Sequence, residues 1–241
     1  MDWQTMSSIP VLITQHEAGA PPGTVLEALI DAGLTVDVRE PFAGEALPEP
    51  GRIDDFSGLV VLGGAMNVDE EGRFPFLAEE RLLLVEALRR DVPVLGICLG
   101  AQQLAAAIGG EVFTRPEPEV GWLPVDVVVR SDPLFAGVEN PFHAFQWHAQ
   151  SFTVPDAAVV LATRPDGAGV QAFTAAPRAW GIQFHPEITE AMLHDWIARD
   201  SKGMRRRAPG LLEGLLKEAG TITSESRRLC RTLVRNWVQT F

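Results

Sequence analysis

VPVLGICLGAQQLAAAIGG, residues 92–110, joins a short apolar run to an alanine-rich stretch through Gly96-Ile97-Cys98-Leu99-Gly100. The run before the cysteine has strand character and the stretch after it keeps helix formers as far as Gly109. Cys98 therefore falls on a sharp strand-to-helix turn, a nucleophile elbow pattern. Such a turn strains the dihedrals of its central residue and leaves no room for side chains beside it, which accounts for glycine on both flanks. The sulfur is then presented at the carboxyl edge of a sheet and at a helix N-terminus, whose dipole and free N–H groups favour thiolate over thiol. Taken alone, the same residues also suit a small buried cysteine in an ordinary βα turn.

Working outward, three further strand-like runs precede this one: PVLITQ at 10–15, TVDVRE at 35–40 and LVVLGG at 59–64. Amphipathic stretches at about 23–32, ended by Gly33, and at about 75–90 lie between them. This alternation predicts an α/β fold, a three-layer, mostly parallel sheet with helices on both faces. After Gly110 come GEVF, LPVDVVV, FHAFQW, VVLATR, VQAFT and AWGIQF without intervening helices, which predicts an antiparallel extension of the same sheet. From Thr189 onward the chain turns helical, and apolar residues at 229, 230, 233, 234, 237, 238 and 241 keep a helical period. Neither a repeat nor a convincing linker divides the chain. It reads as a single domain over 1–241, with a core at about 10–190 and a helical C-terminal extension at about 190–241.

With 241 residues, 46% of them hydrophobic, the chain can bury a sizeable core. Its 32 acidic and 20 basic side chains give a net charge of -12, which disfavours nucleic acid and anionic lipid as partners. The opening MDWQTMSSIP lacks the basic and apolar regions of a leader, and no stretch is long and apolar enough to span a membrane. A soluble cytoplasmic protein is expected. Cys98 and Cys230 offer no metal spacing. Residues 202–241 carry nine basic side chains against three acidic ones, either a solvated face or a surface that docks on the acidic remainder.

A thiolate nucleophile needs an oriented imidazole, and AWGIQFHPEIT at 179–189 supplies His185 with Glu187 two positions on. Pro186 keeps its predecessor extended, so the two side chains point the same way and the carboxylate can take one ring N–H. The other ring nitrogen then faces the sulfur. An oxyanion requires donors, and the elbow provides the backbone N–H of Leu99. Gly63 and Gly64, ending the strand of LVVLGGAMN, allow close backbone approach, so the N–H of Gly64 is the second candidate; the same pair also suits a plain βα turn. No phosphate-binding signature accompanies these glycines.

The elbow, the paired glycines and the final His-Pro-Glu, in this order and spacing, resemble the class I (triad) glutamine amidotransferases, above all stand-alone relatives of the GMP synthase amidotransferase domain. The resemblance covers about residues 10–190 and implies a flavodoxin-like fold, no metal or organic cofactor, and hydrolysis of the glutamine side-chain amide by Cys98, His185 and Glu187. It also implies that Gln102 contacts the amino-acid moiety of the substrate. QWHAQSF at 146–152 resembles the segment lining the glutamine pocket, bringing in Trp147, His148 and Gln150. Ala149 and Gln150 stand there in place of the family's usual Gly and Asp, which weakens the grip on an α-ammonium. His16 and Glu17 resemble the rim of the pocket. His143 and His194 carry no pattern, and Cys230, on the apolar stripe of the last helix, reads as structural. The partners implied are glutamine or a related γ-glutamyl amide, a separate synthetase or acceptor protein for the ammonia, and a second copy of the chain in a homodimer. A hydrolase of another γ-glutamyl amide or peptide and a regulatory protein with little turnover are the alternatives.

Overall fold

The computed structural model describes residues 9–167, 169–200 and 203–241. Residues 1–8, read above for a leader, and Lys202 of the basic segment lie outside the described residues. The first half alternates as the sequence predicts. Strands β1 (Val11–Thr14), β2 (Val36–Arg39), β3 (Gly58–Val61) and β4 (Val94–Ile97) are interleaved with helices α1 (Gly23–Asp31) and α2 (Phe76–Arg89), and α3 (Leu99–Ala107) follows β4. β1, β3 and β4 are buried at every position, which explains their unbroken apolar sequences.

The remaining strands are β5 (Val112–Val127), β6 (Phe142–Phe152), β7 (Val159–Thr163), β8 (Val170–Ala176) and β9 (Ala179–Ile182), and all nine form one sheet in the order β2-β1-β3-β4-β9-β8-β7-β5-β6. The β7–β8–β9 meander and the β5–β6 pair are antiparallel, as expected. Two differences stand out. GEVF and LPVDVVV are one 16-residue strand, interrupted only by a register shift against β6 between Thr114 and Glu119. β9 is antiparallel to β8 yet parallel to β4, because the meander brings the chain back to the middle of the sheet. β9 thus supplies a fifth parallel strand.

Alternation along the strands divides the core in two. Val11, Ile13, Val60, Leu62, Leu95 and Ile97 face α1 on one side, where the last helix, α7 (Ala219–Val238), also packs. Leu12, Leu59, Val61 and Val94 face α2 and α3 on the other. Helices α4 (Glu190–Arg199), α5 (Met204–Arg207) and α6 (Leu211–Lys217) cover Phe145 and Trp147 of β6 in a third cluster. The apolar stripe read in the sequence of α7 is the face it buries, with Cys230, Leu233, Val234 and Trp237 each at most 1% exposed. Its basic face meets α1 through Arg227–Glu27 (3.0 Å) and Arg231–Asp31 (2.7 Å). These pairs are about half exposed, so they orient α7 while the apolar stripe holds it. No helix among the described residues is long and apolar enough to cross a membrane.

Leu233→Ala removes a fully buried side chain from this seam and should destabilise the fold by about 2–5 kcal/mol. Urea unfolding, with the slope unchanged and the midpoint lowered, is the measurement.

Candidate active site

Cys98 has φ 50° and ψ -104°, a conformation that costs about 1–3 kcal/mol for a residue with a β-carbon. Neighbouring backbone holds it there. The Cys98 N–H donates to the Ile182 carbonyl (2.8 Å), its own carbonyl accepts from Gln102 N–H (3.0 Å), and Gly100 N–H donates to the Leu62 carbonyl (3.1 Å). A β-carbon on Gly100 would lie 2.0 Å from the Val61 oxygen, and one on Gly96 would lie 2.6 Å from the Gly100 oxygen. The flanking glycines are thus required by the close approach of α3 to β3 and β4.

Because Ile97 of β4 lies opposite Ile182 of β9, the residues just beyond the two strands emerge together at the carboxyl edge. His185 lies there, its N–H bonded to the Phe145 carbonyl at 2.8 Å. Its Nδ1 is 2.7 Å from Glu187 Oε1, and both residues are buried. Thr24 N–H, at the start of α1, donates to the Glu187 carbonyl at 3.1 Å and fixes that residue in turn. With Nδ1–H committed to the carboxylate, Nε2 is buried without a hydrogen-bond partner among the described residues. Burial alone would push the proton off this ring, but the negative charges of Glu187 and of a Cys98 thiolate overcome it and raise its pKa to about 10. The ring is thus held as an imidazolium.

Gly63 and Gly64 complete the rim. A β-carbon on Gly63 would come within 2.8 Å of His185 Cε1 and 3.5 Å of Cys98 Cβ, so only glycine lets the backbone run this close to the pair. Gly64, Cys98, Gln102, Trp147, His148 and Gln150 surround a small cavity of about 10 Å³. A second cavity, of about 60 Å³, shares Gly64 and Trp147 with the first and is lined by His185 together with Glu17, Ala20, Trp196 and Arg199.

The pocket residues are brought together, several in roles other than a direct hold on a ligand. Gln102 Nε2 donates to the Gln150 carbonyl (3.2 Å) and to Gln183 Oε1 (3.3 Å). Gln150 Oε1 accepts from Val68 N–H at 3.3 Å, tying β6 to the loop after Gly64. The two ring nitrogens of His148, which lies within β6, face the Gln150 carbonyl (2.8 Å) and the Glu119 carboxylate (3.0 Å). His148 is therefore engaged internally.

His16 departs from expectation. Far from lying on the rim, it is fully buried, with Glu80 of α2 beside it at 2.9 Å; only Glu17 lines the open cavity. Sequence reasoning also passed over Trp196, whose ring meets that of His185 edge-on at 4.8 Å and whose Nε1 donates to the Gly19 carbonyl at 2.7 Å. Glu80 does carry a signal, because it shares the buried stripe of Leu77, Leu84 and Ala87. Trp196 carries none, since an amphipathic helix accounts for it. Among the described residues no group of three or more His, Cys, Asp or Glu side chains is placed to hold a metal ion.

A strained cysteine on a strand-to-helix elbow and a buried histidine–carboxylate pair just beyond the adjoining strand thus share the carboxyl edge of an α/β sheet. The family model "Glutamine amidotransferase class-I" matches residues 24–200. The glutamine amidotransferase-like protein YfeJ of Salmonella typhimurium is 32% identical over 179 residues, covering 72% of this chain and 74% of that one. One subunit of the glutamine-hydrolyzing GMP synthase of Methanococcus maripaludis is 37% identical over 116 residues, 47% of this chain and 60% of that one. Complete GMP synthases are matched over only 24% to 34% of their length. A solved glutamine amidotransferase from Thermotoga maritima superposes with a TM-score of 0.85 at 29% identity, over 97% of this chain and 100% of that one. The chain belongs to the class I glutamine amidotransferase family of enzymes.

Burial and the nearby Glu187 and Glu27 carboxylates push the Cys230 thiol well above its ordinary pKa, so it stays un-ionised. Iodoacetamide at neutral pH should modify Cys98 and spare Cys230, as read by peptide mapping. Cys98→Ala should leave the native chain unlabelled.

Proposed function

We propose that this chain hydrolyses the side-chain amide of glutamine through a cysteinyl thioester, with Cys98, His185 and Glu187 as its triad. The observation that carries the reading is the buried His185–Glu187 contact of 2.7 Å beside an elbow cysteine, in a chain of this family. The Cys98 thiolate attacks the carboxamide carbon, and the carbonyl electron pair moves onto oxygen, where the N–H groups of Leu99 and Gly64 receive it. His185 gives its Nε2 proton to the nitrogen as the C–N bond breaks. Ammonia leaves and a γ-glutamyl thioester remains. The now neutral His185 takes a proton from water, whose oxygen attacks the thioester, and glutamate departs as the thiolate is regenerated.

The cavity of about 10 Å³ beside Cys98 has room for about one water molecule, so its lining must open for glutamine to enter. The relative named as one part of a divided GMP synthase supports a separate synthetase as the acceptor of the ammonia. A second substrate reading is favoured by the cavity of about 60 Å³ lined by His185, where a leaving amine larger than ammonia would lie. Supplying glutamine and γ-glutamyl amides in parallel separates the two.

An electrophilic glutamine analogue should add one equivalent to Cys98; an adduct confined to Cys230 refutes the reading. In Glu187→Gln the ring of His185 loses the charge that holds its proton. Because the protonated ring is the form that serves the leaving nitrogen, the alkaline limb of kcat/KM should move to lower pH. kcat itself should fall on the order of a hundredfold or more.

A further inference from the structure

The peptide between Gly63 and Gly64 presents a particular difficulty. Its N–H, that of Gly64, is useful only if it points toward the sulfur, yet glycine on both sides makes the flipped peptide sterically acceptable as well. Something outside the loop must choose between the two orientations. The Gly63 carbonyl oxygen lies 3.1 Å from Nδ1 of His16. Nε2 of the same ring lies 2.9 and 3.0 Å from the two carboxylate oxygens of Glu80. A carbonyl and a carboxylate only accept hydrogen bonds, so both ring nitrogens must donate. Glu80 also accepts from Thr14 Oγ1 at 2.5 Å, and the ring stacks on Phe76 at 6.0 Å. Thr14, His16 and Glu80 are each fully buried.

Burial disfavours a charged ring, but the Glu80 carboxylate outweighs it and raises the His16 pKa. An imidazolium clamped between a carboxylate and the Gly63 oxygen cannot turn without breaking a buried ion pair. In a trans peptide the C=O and N–H point in opposite directions, so holding the oxygen on His16 aims the Gly64 N–H away from His16, in a loop where a β-carbon on Gly63 would lie 3.5 Å from Cys98 Cβ.

We propose that His16, charged and anchored by Glu80, is a positioning residue that locks the Gly63–Gly64 peptide in the orientation that stabilises the oxyanion. The proposal rests on the role given above to the Gly64 N–H. It predicts different outcomes for two neutral replacements, because the amide nitrogen of asparagine falls where Nδ1 was and that of glutamine where Nε2 was. His16→Gln can reach Glu80 and loses the Gly63 carbonyl; His16→Asn does the reverse.

In glutamine hydrolysis His16→Gln should lose about a hundredfold in kcat, the effect of one missing oxyanion donor, with KM changed by less than about threefold. His16→Asn should turn over at least about tenfold faster than His16→Gln, although both lose the buried charge. Equal kcat values in the two variants would overturn the inference, since a purely structural role does not distinguish them. Crystals of His16→Gln give a readout independent of turnover: a flipped or doubled Gly63–Gly64 peptide supports the inference and an unchanged one refutes it. Glutaminase failure of the unmodified protein would instead reject the functional reading alone. Should neither variant fold, nitrogen NMR of the unmodified protein decides. A protonated Nδ1 coupled to the Gly63 carbonyl upholds the inference, and a bare Nδ1 ends it.

Discussion

Cys98 occupies a backbone conformation, φ 50°, that an isolated chain would avoid, and most of the surrounding structure can be understood as what keeps it there. The turn is forced because α3 begins immediately after β4 and folds back against β3, so closely that the Val61 carbonyl would be 2.0 Å from any β-carbon on Gly100. Its stability comes from bonds to residues far away in sequence: the Cys98 N–H is satisfied by Ile182 and that of Gly100 by Leu62. Local preference opposes the turn and tertiary structure imposes it, the pattern expected where strain serves a site.

β9 contributes as much as the elbow. By returning to the centre of the sheet and running parallel to β4, it delivers its C-terminal residues to the edge where the cysteine emerges. His185 and Glu187 are then fixed from several directions, by Phe145 of β6 through the backbone, by Thr24 of α1, and by the ring of Trp196 in α4. Contacts from three separate elements thus converge on the His185–Glu187 pair.

The parts of this arrangement that could be read in the sequence are those encoded over short spans. The elbow is five consecutive residues, the His-Pro-Glu three, and the apolar strands and the stripe of α7 follow from periodicity. The orientation of β9 was not legible, because a strand's residues do not say which way its neighbour runs; the connections decide that. His16 was misread for a related reason. In QHEAGAPPG it sits among polar and turn-forming residues, and only Glu80, 64 positions later, makes its burial tolerable. Glu80 itself interrupts an apolar helix face, a sign that a buried partner exists without any indication of which one. His148 and Gln150 line the small cavity beside Cys98, yet their polar atoms are largely spent on Glu119 and Val68, a distribution that composition and spacing do not record.

The distance along the chain between the elbow and β9 has a consequence for biosynthesis. As the polypeptide leaves the ribosome, its first four strands and their helices can assemble while the histidine and glutamate are still to be translated. A nascent chain at that stage would have Cys98 without His185 and Glu187 nearby, and the Ile182 carbonyl that accepts the Cys98 N–H and helps to hold its strained backbone would also be missing. The elbow's strained geometry and its approach to His185 therefore both wait on the closing of the meander that brings β9 beside β4.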